Sequence, residues 1–93
     1  MREYELIYIV HPDLDENGFQ ETMKRVSGWI TEPGGEIVKA EVWGKRRLAY
    51  PLRKKTEGQF VLLHIKMAPT SGVELERNMR FLEPVMRFSL VAK

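Results

Sequence analysis

Cysteine is absent from this chain. That excludes disulfide staples and thiolate metal sites and leaves stability to packing. Histidine is scarce. His11 stands beside Pro12 in a turn-like setting and His64 lies in an apolar run, and neither has the neighbours of a metal-ligand or nucleophile-base pattern. Each reads as an ordinary turn or sheet-face residue. No apolar stretch approaches the roughly 20 residues that a membrane helix needs. The amino-terminal segment carries Glu3 and Glu5 where a secretory leader would carry basic residues and a long apolar run. A soluble cytoplasmic protein is expected. The 93 residues, 43% of them hydrophobic, are enough for one core, so a single domain is expected over residues 1–93.

What is present is charge, and it is unevenly placed. Residues 1–38 hold three basic and eight acidic side chains, residues 39–66 hold eight and two, and residues 67–93 hold four and three. The middle third is therefore strongly basic between an acidic first third and a nearly neutral last one. Basic charge gathered on one segment attracts polyanions by neutralising phosphates and releasing their counterions. A solvated basic loop would show the same excess. Trp43, Tyr50 and Phe60 are interleaved with Lys45, Arg46, Arg47, Arg53, Lys54 and Lys55, and rings that stack beside cations that reach phosphates favour RNA. Ordinary packing is the competing account of each ring. A membrane-directed patch would rather occupy an amphipathic helix.

Tyr4 to Val10 reads as a strand, closed by the turn signal Pro12-Asp13. Its even positions Tyr4, Leu6, Tyr8 and Val10 share one face, and on the other face Glu3 and Glu5 give way to Ile7 and Ile9. That second face is apolar over its later half and suits a partner. Asp15 is placed to cap a helix whose Phe19, Met23, Val26 and Ile30 form one stripe, ended by Pro33, Gly34 and Gly35. A second strand is expected from about Glu36 to Trp43, followed by an extended, basic, turn-rich connection from Gly44 to Gly58. Phe60 to Met67 is a third strand, with Val61, Leu63, Ile65 and Met67 opposite Phe60, Leu62, His64 and Lys66. Ser71 and Glu74 match a capping box for a second helix carrying Leu75, Met79 and Leu82, which Pro84 stops. Val85 to Ala92 is the last strand.

This order is the split βαβ pattern, βαββαβ, of α+β ferredoxin-like folds. Right-handed crossovers then predict a four-stranded antiparallel sheet of order 4-1-3-2, with two helices on one face and the other face open. No catalytic set assembles. Asp13, Asp15 and Glu16 sit at a helix start, where negative charge favours the dipole, and Gly34-Gly35 has neither phosphate-loop spacing. The aromatic signature of an RNA-recognition motif is missing from Gln59-Phe60-Val61-Leu62-Leu63.

The run Trp43-Gly44-Lys45-Arg46-Arg47-Leu48-Ala49-Tyr50-Pro51-Leu52 resembles the signature of the bacterial small-subunit ribosomal protein number six family. So do Arg2-Glu3-Tyr4-Glu5, Gly58, Leu75-Glu76-Arg77 and Val85-Met86-Arg87. The resemblance spans essentially the whole chain. Leu52 departs from the family's more usual isoleucine, a swap of equal volume, and the chain stops at Lys93 where many relatives carry a tail. The resemblance implies a non-enzymatic, cofactor-free and metal-free constituent of the small ribosomal subunit in the cytoplasm. Such a protein binds the central domain of small-subunit ribosomal RNA together with small-subunit ribosomal protein eighteen and supports assembly and translation, with no membrane and no small-molecule substrate.

On that basis phosphate contacts are expected from Arg2, Lys45, Arg46, Arg47, Lys54, Lys55 and Arg87, and sugar or base contacts from Tyr4 and Tyr50. Burial against a protein partner is expected at Ile7, Ile9, Phe60 and Leu62, an apolar patch on an uncovered sheet face. The same topology hosts metabolite-binding regulatory modules and small acyl phosphate hydrolases. The latter chemistry needs an arginine-asparagine anion cradle, and the only asparagines are Asn17 and Asn78.

Overall fold

The computed structural model describes every residue from Met1 to Lys93. The elements run β1 (Arg2–Val10), α1 (Glu16–Thr31), β2 (Glu36–Leu52), β3 (Lys55–Met67), α2 (Pro69–Arg80) and β4 (Val85–Ala92). The four strands form one antiparallel sheet in the order β2-β3-β1-β4. Read from its other edge, this is the expected 4-1-3-2 order. No helix is long and apolar enough to cross a membrane.

Alternation decides which sheet face is buried. Tyr4, Leu6, Tyr8 and Val10 of β1, together with Val61, Leu63, Ile65 and Met67 of β3, turn inward beneath the helices. Phe19, Val26 and Ile30 meet them from α1, and Leu75 and Met79 from α2. Met23 packs only at the margin of this core, and Thr22 is buried instead, its hydroxyl satisfied by the Gly18 carbonyl at 2.9 Å. Asp15 caps α1, its carboxylate accepting the Gly18 amide at 2.8 Å. At the other end Gly34 takes φ +101° while the Gly35 amide returns to the Ile30 carbonyl at 3.0 Å, closing the helix with a left-handed glycine.

Two local expectations need correction. Ser71 and Glu74 form no capping box: α2 starts earlier, with Pro69 in its first turn and Ala68 as a cap that offers no side chain. Proline is pre-set for a first helical turn, so Ser71 falls inside the helix, its amide bonded to the Ala68 carbonyl at 3.0 Å. The helix also ends at Arg80, well before Pro84, and Leu82 is buried from the loop beyond it.

The larger correction concerns Gly44 to Gly58. The expected turn-rich connection is a long β-hairpin that carries β2 and β3 out past β1. Lys45 pairs with Gln59, Arg46 with Gly58 and Arg47 with Glu57, and only Arg53 and Lys54 turn the chain. Both take positive φ, 47° and 64°, as the two central residues of a type I′ hairpin turn must. A bulge between Val42 and Gly44, with Gly44 at φ +77°, adds local twist where the hairpin leaves the sheet.

Candidate nucleic-acid interface

The hairpin gathers the basic residues on one projecting ribbon. Lys45, Arg46, Arg47 and Lys54 are all exposed along it, and none enters an ion pair within the chain. Arg46 is held back against the ribbon: its Nε donates to the Trp43 carbonyl at 3.3 Å and its guanidinium lies 5.8 Å from the Trp43 ring centroid. Trp43 in turn stacks on Phe60, with centroids 6.3 Å apart and planes within 15°. Stacked rings and an overlying guanidinium restrict one another, so these groups meet a ligand with little rotamer freedom left to lose.

Arg87 joins the hairpin from the opposite edge strand. Its Nη1 donates to the Tyr50 hydroxyl at 2.6 Å, across 37 positions of sequence. Arg53, a candidate phosphate ligand by composition, has a different task. Its two terminal nitrogens donate to the carbonyls of Glu83 and Val85 at 3.1 and 3.3 Å, which ties the hairpin turn to the start of β4.

Other expected contacts fall elsewhere. Tyr4 points the other way: the residue is 9% exposed and packs in the core beside Gly72 of α2, which leaves little of it for an RNA contact. Arg2 is exposed but pairs with Met67, at the far end of β1 from the hairpin. Strand rise separates it from Val10 by roughly 25 Å. Lys55 is engaged internally, its Nζ 2.6 Å from Asp13 Oδ2. Hydrogen bonding and charge from Lys55 hold the Asp13 carboxyl below its ordinary range.

Ile7 faces Leu62 and Ile9 faces Phe60 across the β1-β3 ladder, so the four expected partner residues form one block on the open sheet face. Ile7, Ile9 and Phe60 are half-buried, while Leu62 is only 8% exposed within the chain itself. Trp43, 40% exposed, extends this block through its stack on Phe60, a contact across strands that no local sequence pattern encodes. Beyond Leu62 the face turns polar. His64 Nε2 lies 3.5 Å from Glu41, and Lys93 reaches Glu5 at 3.6 Å and His64 Nδ1 at 3.1 Å. The Trp43 indole N–H, donated to Glu41 at 3.3 Å, is the first cause that holds that carboxyl below its usual range.

A split βαβ sheet with helices on one face, an open apolar block on the other and a cationic hairpin at its edge defines a small ferredoxin-like domain. The family described as Ribosomal protein S6 matches residues 3–92, and the chain belongs to that family. It is 42% identical over 91 residues to the small ribosomal subunit protein bS6 of Caldanaerobacter subterraneus subsp. tengcongensis, covering 98% of this chain and 96% of that one. It is 40% identical over 93 residues to the bS6 protein of Heliobacterium modesticaldum, covering 100% and 97%. The crystal structure of 30S ribosomal protein S6 from Thermotoga maritima superposes with a TM-score of 0.94 at 28% identity, covering 99% of this chain and 87% of that one.

Proposed function

We propose that this chain is a structural constituent of the small ribosomal subunit, in the cytoplasm, that binds the central domain of small-subunit ribosomal RNA together with small-subunit ribosomal protein eighteen. The observation that carries this reading is the projecting hairpin. It carries four exposed cations that make no ion pair within the chain, Lys45, Arg46, Arg47 and Lys54, beside an open apolar sheet face, in a chain of the ribosomal protein S6 family. The cations neutralise phosphates and Arg87 extends the track with its Tyr50 partner. Arg2 supplies a separate contact at the other end of β1. Lys55 contributes less, because Asp13 already balances its charge.

The apolar block of Ile7, Ile9 and Phe60, backed by Leu62, takes the protein partner. The mechanism is binding and rigid placement, which calls for no catalytic group, metal or cofactor. RNA shape and backbone position supply specificity, since phosphate contacts fix register and carry no sequence information themselves.

The test is binding of the purified chain to a central-domain ribosomal RNA fragment, with and without small-subunit ribosomal protein eighteen, over a salt series. Salt-sensitive binding that the partner tightens is expected. Absence of binding under every condition would overturn the reading.

A further inference from the structure

Phe81 is the most exposed aromatic residue, 79% open to solvent, on a loop that is itself fixed. Its amide closes α2 on the Asn78 carbonyl at 3.2 Å, and the next residue, Leu82, is buried in the core. The Pro84 carbonyl accepts the His11 amide at 2.8 Å, and the Glu83 carbonyl accepts from Arg53 at 3.1 Å. Helical spacing sets the direction. Leu75, Met79 and Leu82 turn toward the sheet, whereas Val73, Arg77 and Phe81, four residues apart, share the opposite crest with Arg80. Val73 is likewise 66% exposed, so the crest carries two apolar side chains and not a single stray one. Arg77 and Arg80 are exposed and enter no ion pair within the chain. The helix dipole favours cations in this last turn but engages none of their donors.

This corner adjoins the hairpin tip. Phe81 stands two residues before Glu83, a chain distance of at most about 7 Å, and Glu83 is held by Arg53, the neighbour of the exposed Lys54. We infer that the corner is a second RNA contact, in which Phe81 stacks on one unpaired base and Arg77 and Arg80 meet the phosphates beside it. Glu76 and Glu83 are close in sequence, so a net positive field is not what singles the corner out. A ring beside two guanidinium groups is, since rings stack on unpaired bases and guanidinium forks match phosphate oxygens. Position favours RNA over the protein partner. A partner seated on Ile7, Ile9 and Phe60 occupies the open side of the sheet, and the crest of α2 faces away on the other side. RNA that follows the hairpin cations as far as Lys54 arrives at Phe81. The inference rests on the RNA-binding reading and adds a contact that distinguishes unpaired from paired strands.

Phe81→Ala, Phe81→Tyr and Arg80→Ala are compared with the unaltered chain for affinity to a central-domain ribosomal RNA fragment, with and without small-subunit ribosomal protein eighteen, over a salt series. The same fragment is also prepared with single abasic sites. Phe81→Ala binds about tenfold more weakly with the same salt slope, whether or not the partner is present. Phe81→Tyr keeps a ring and restores the affinity. Arg80→Ala weakens binding and lowers the slope by about one unit. One abasic site in a bulge or loop gives the same loss as Phe81→Ala, and combining the two adds nothing further.

Tight binding that Phe81→Ala leaves intact would overturn the inference while the RNA-binding reading stands. Losses that add at every abasic site would do the same. A loss seen only when the protein partner is present, with no abasic site reproducing it, would overturn it by assigning the corner to that partner. An unaltered chain that binds no RNA at all would remove the underlying reading itself.

Discussion

Lys55 holds Asp13 at 2.6 Å across 42 positions of sequence, joining the tip of the cationic hairpin to the loop before α1. The ion pair subtracts one cation from a surface otherwise free to meet phosphates. Asp13→Asn should therefore return Lys55 to that surface and steepen the salt dependence of RNA binding by about 0.7 to 0.9 in log-log slope. An unchanged slope would show that Lys55 stays away from the RNA even when released.

The same pair sets a pH dependence whose sign is fixed. The folded Asp13 pKa lies below its ordinary value of 3.8, chiefly through the Lys55 hydrogen bond and charge. The stability it contributes is present above that ordinary value and is lost as pH falls through the lower folded value. Asp13 is solvent-exposed, so the contribution is small and weakens further with salt. Urea unfolding between pH 5 and pH 2 should show a shallower acid decline for Asp13→Asn than for the unaltered chain.

Arg53→Ala removes the two hydrogen bonds that tie the hairpin turn to the Glu83 and Val85 carbonyls. Alanine keeps the same left-handed strain, so the difference reports the tether. At this exposed site it should cost about 1 kcal/mol. Amide hydrogen exchange should quicken at residues 46–57 and stay unchanged in β1. RNA affinity should fall through lost order, with the salt slope preserved, because Arg53 is a positioning residue and not a phosphate ligand.

Gly58→Ala sets two effects against each other. Alanine in a strand gains roughly 0.5–1 kcal/mol from a less flexible unfolded chain. The new methyl, however, overlaps Ile9 Cγ2 and presses on Met86 Cε at 3.2 Å, and overpacking of this kind typically costs about 1–3 kcal/mol. Net destabilisation is expected in denaturant unfolding. A neutral or stabilising result would mean that Ile9 moves aside without loss.

Among the cations, position separates two groups. Arg46→Ala with Arg47→Ala should weaken RNA binding and lower the salt slope by about 2, near one unit per cation. Arg2→Ala, at the far end of β1, should lower the slope by about one unit, and an unchanged slope would remove Arg2 from the RNA surface. Isothermal titration over four salt concentrations distinguishes these outcomes.

The helices and sheet order were legible because short-range patterns carried them. The period-two alternation of Tyr4 to Val10, the stripe Phe19, Met23, Val26, Ile30 in all but Met23, which stays at the core's margin, and the cap at Asp15 agree with the packing that finally forms. Tyr4 shares a face with Leu6 and Tyr8, and the structure turns that face into the core, which goes against the RNA contact expected of it. The hairpin was hidden because Arg53-Lys54 lacks the Asn-Gly signal of a type I′ turn, and its strain is offset by long-range contacts that no local window contains. Likewise, Lys55 with Asp13 and Arg87 with Tyr50 meet only when the strands pair. The capping box failed because Pro69 started the helix first.

The position of β2 at the sheet's edge has one more consequence. An outermost strand of 17 residues leaves a long row of backbone donors and acceptors on its outer side, a template on which a second copy could dock and begin to aggregate. Lys39, Lys45, Arg46 and Arg47 lie along that strand, so two such edges repel each other wherever they meet. The charges proposed to meet phosphate therefore also oppose edge-to-edge pairing of free chains.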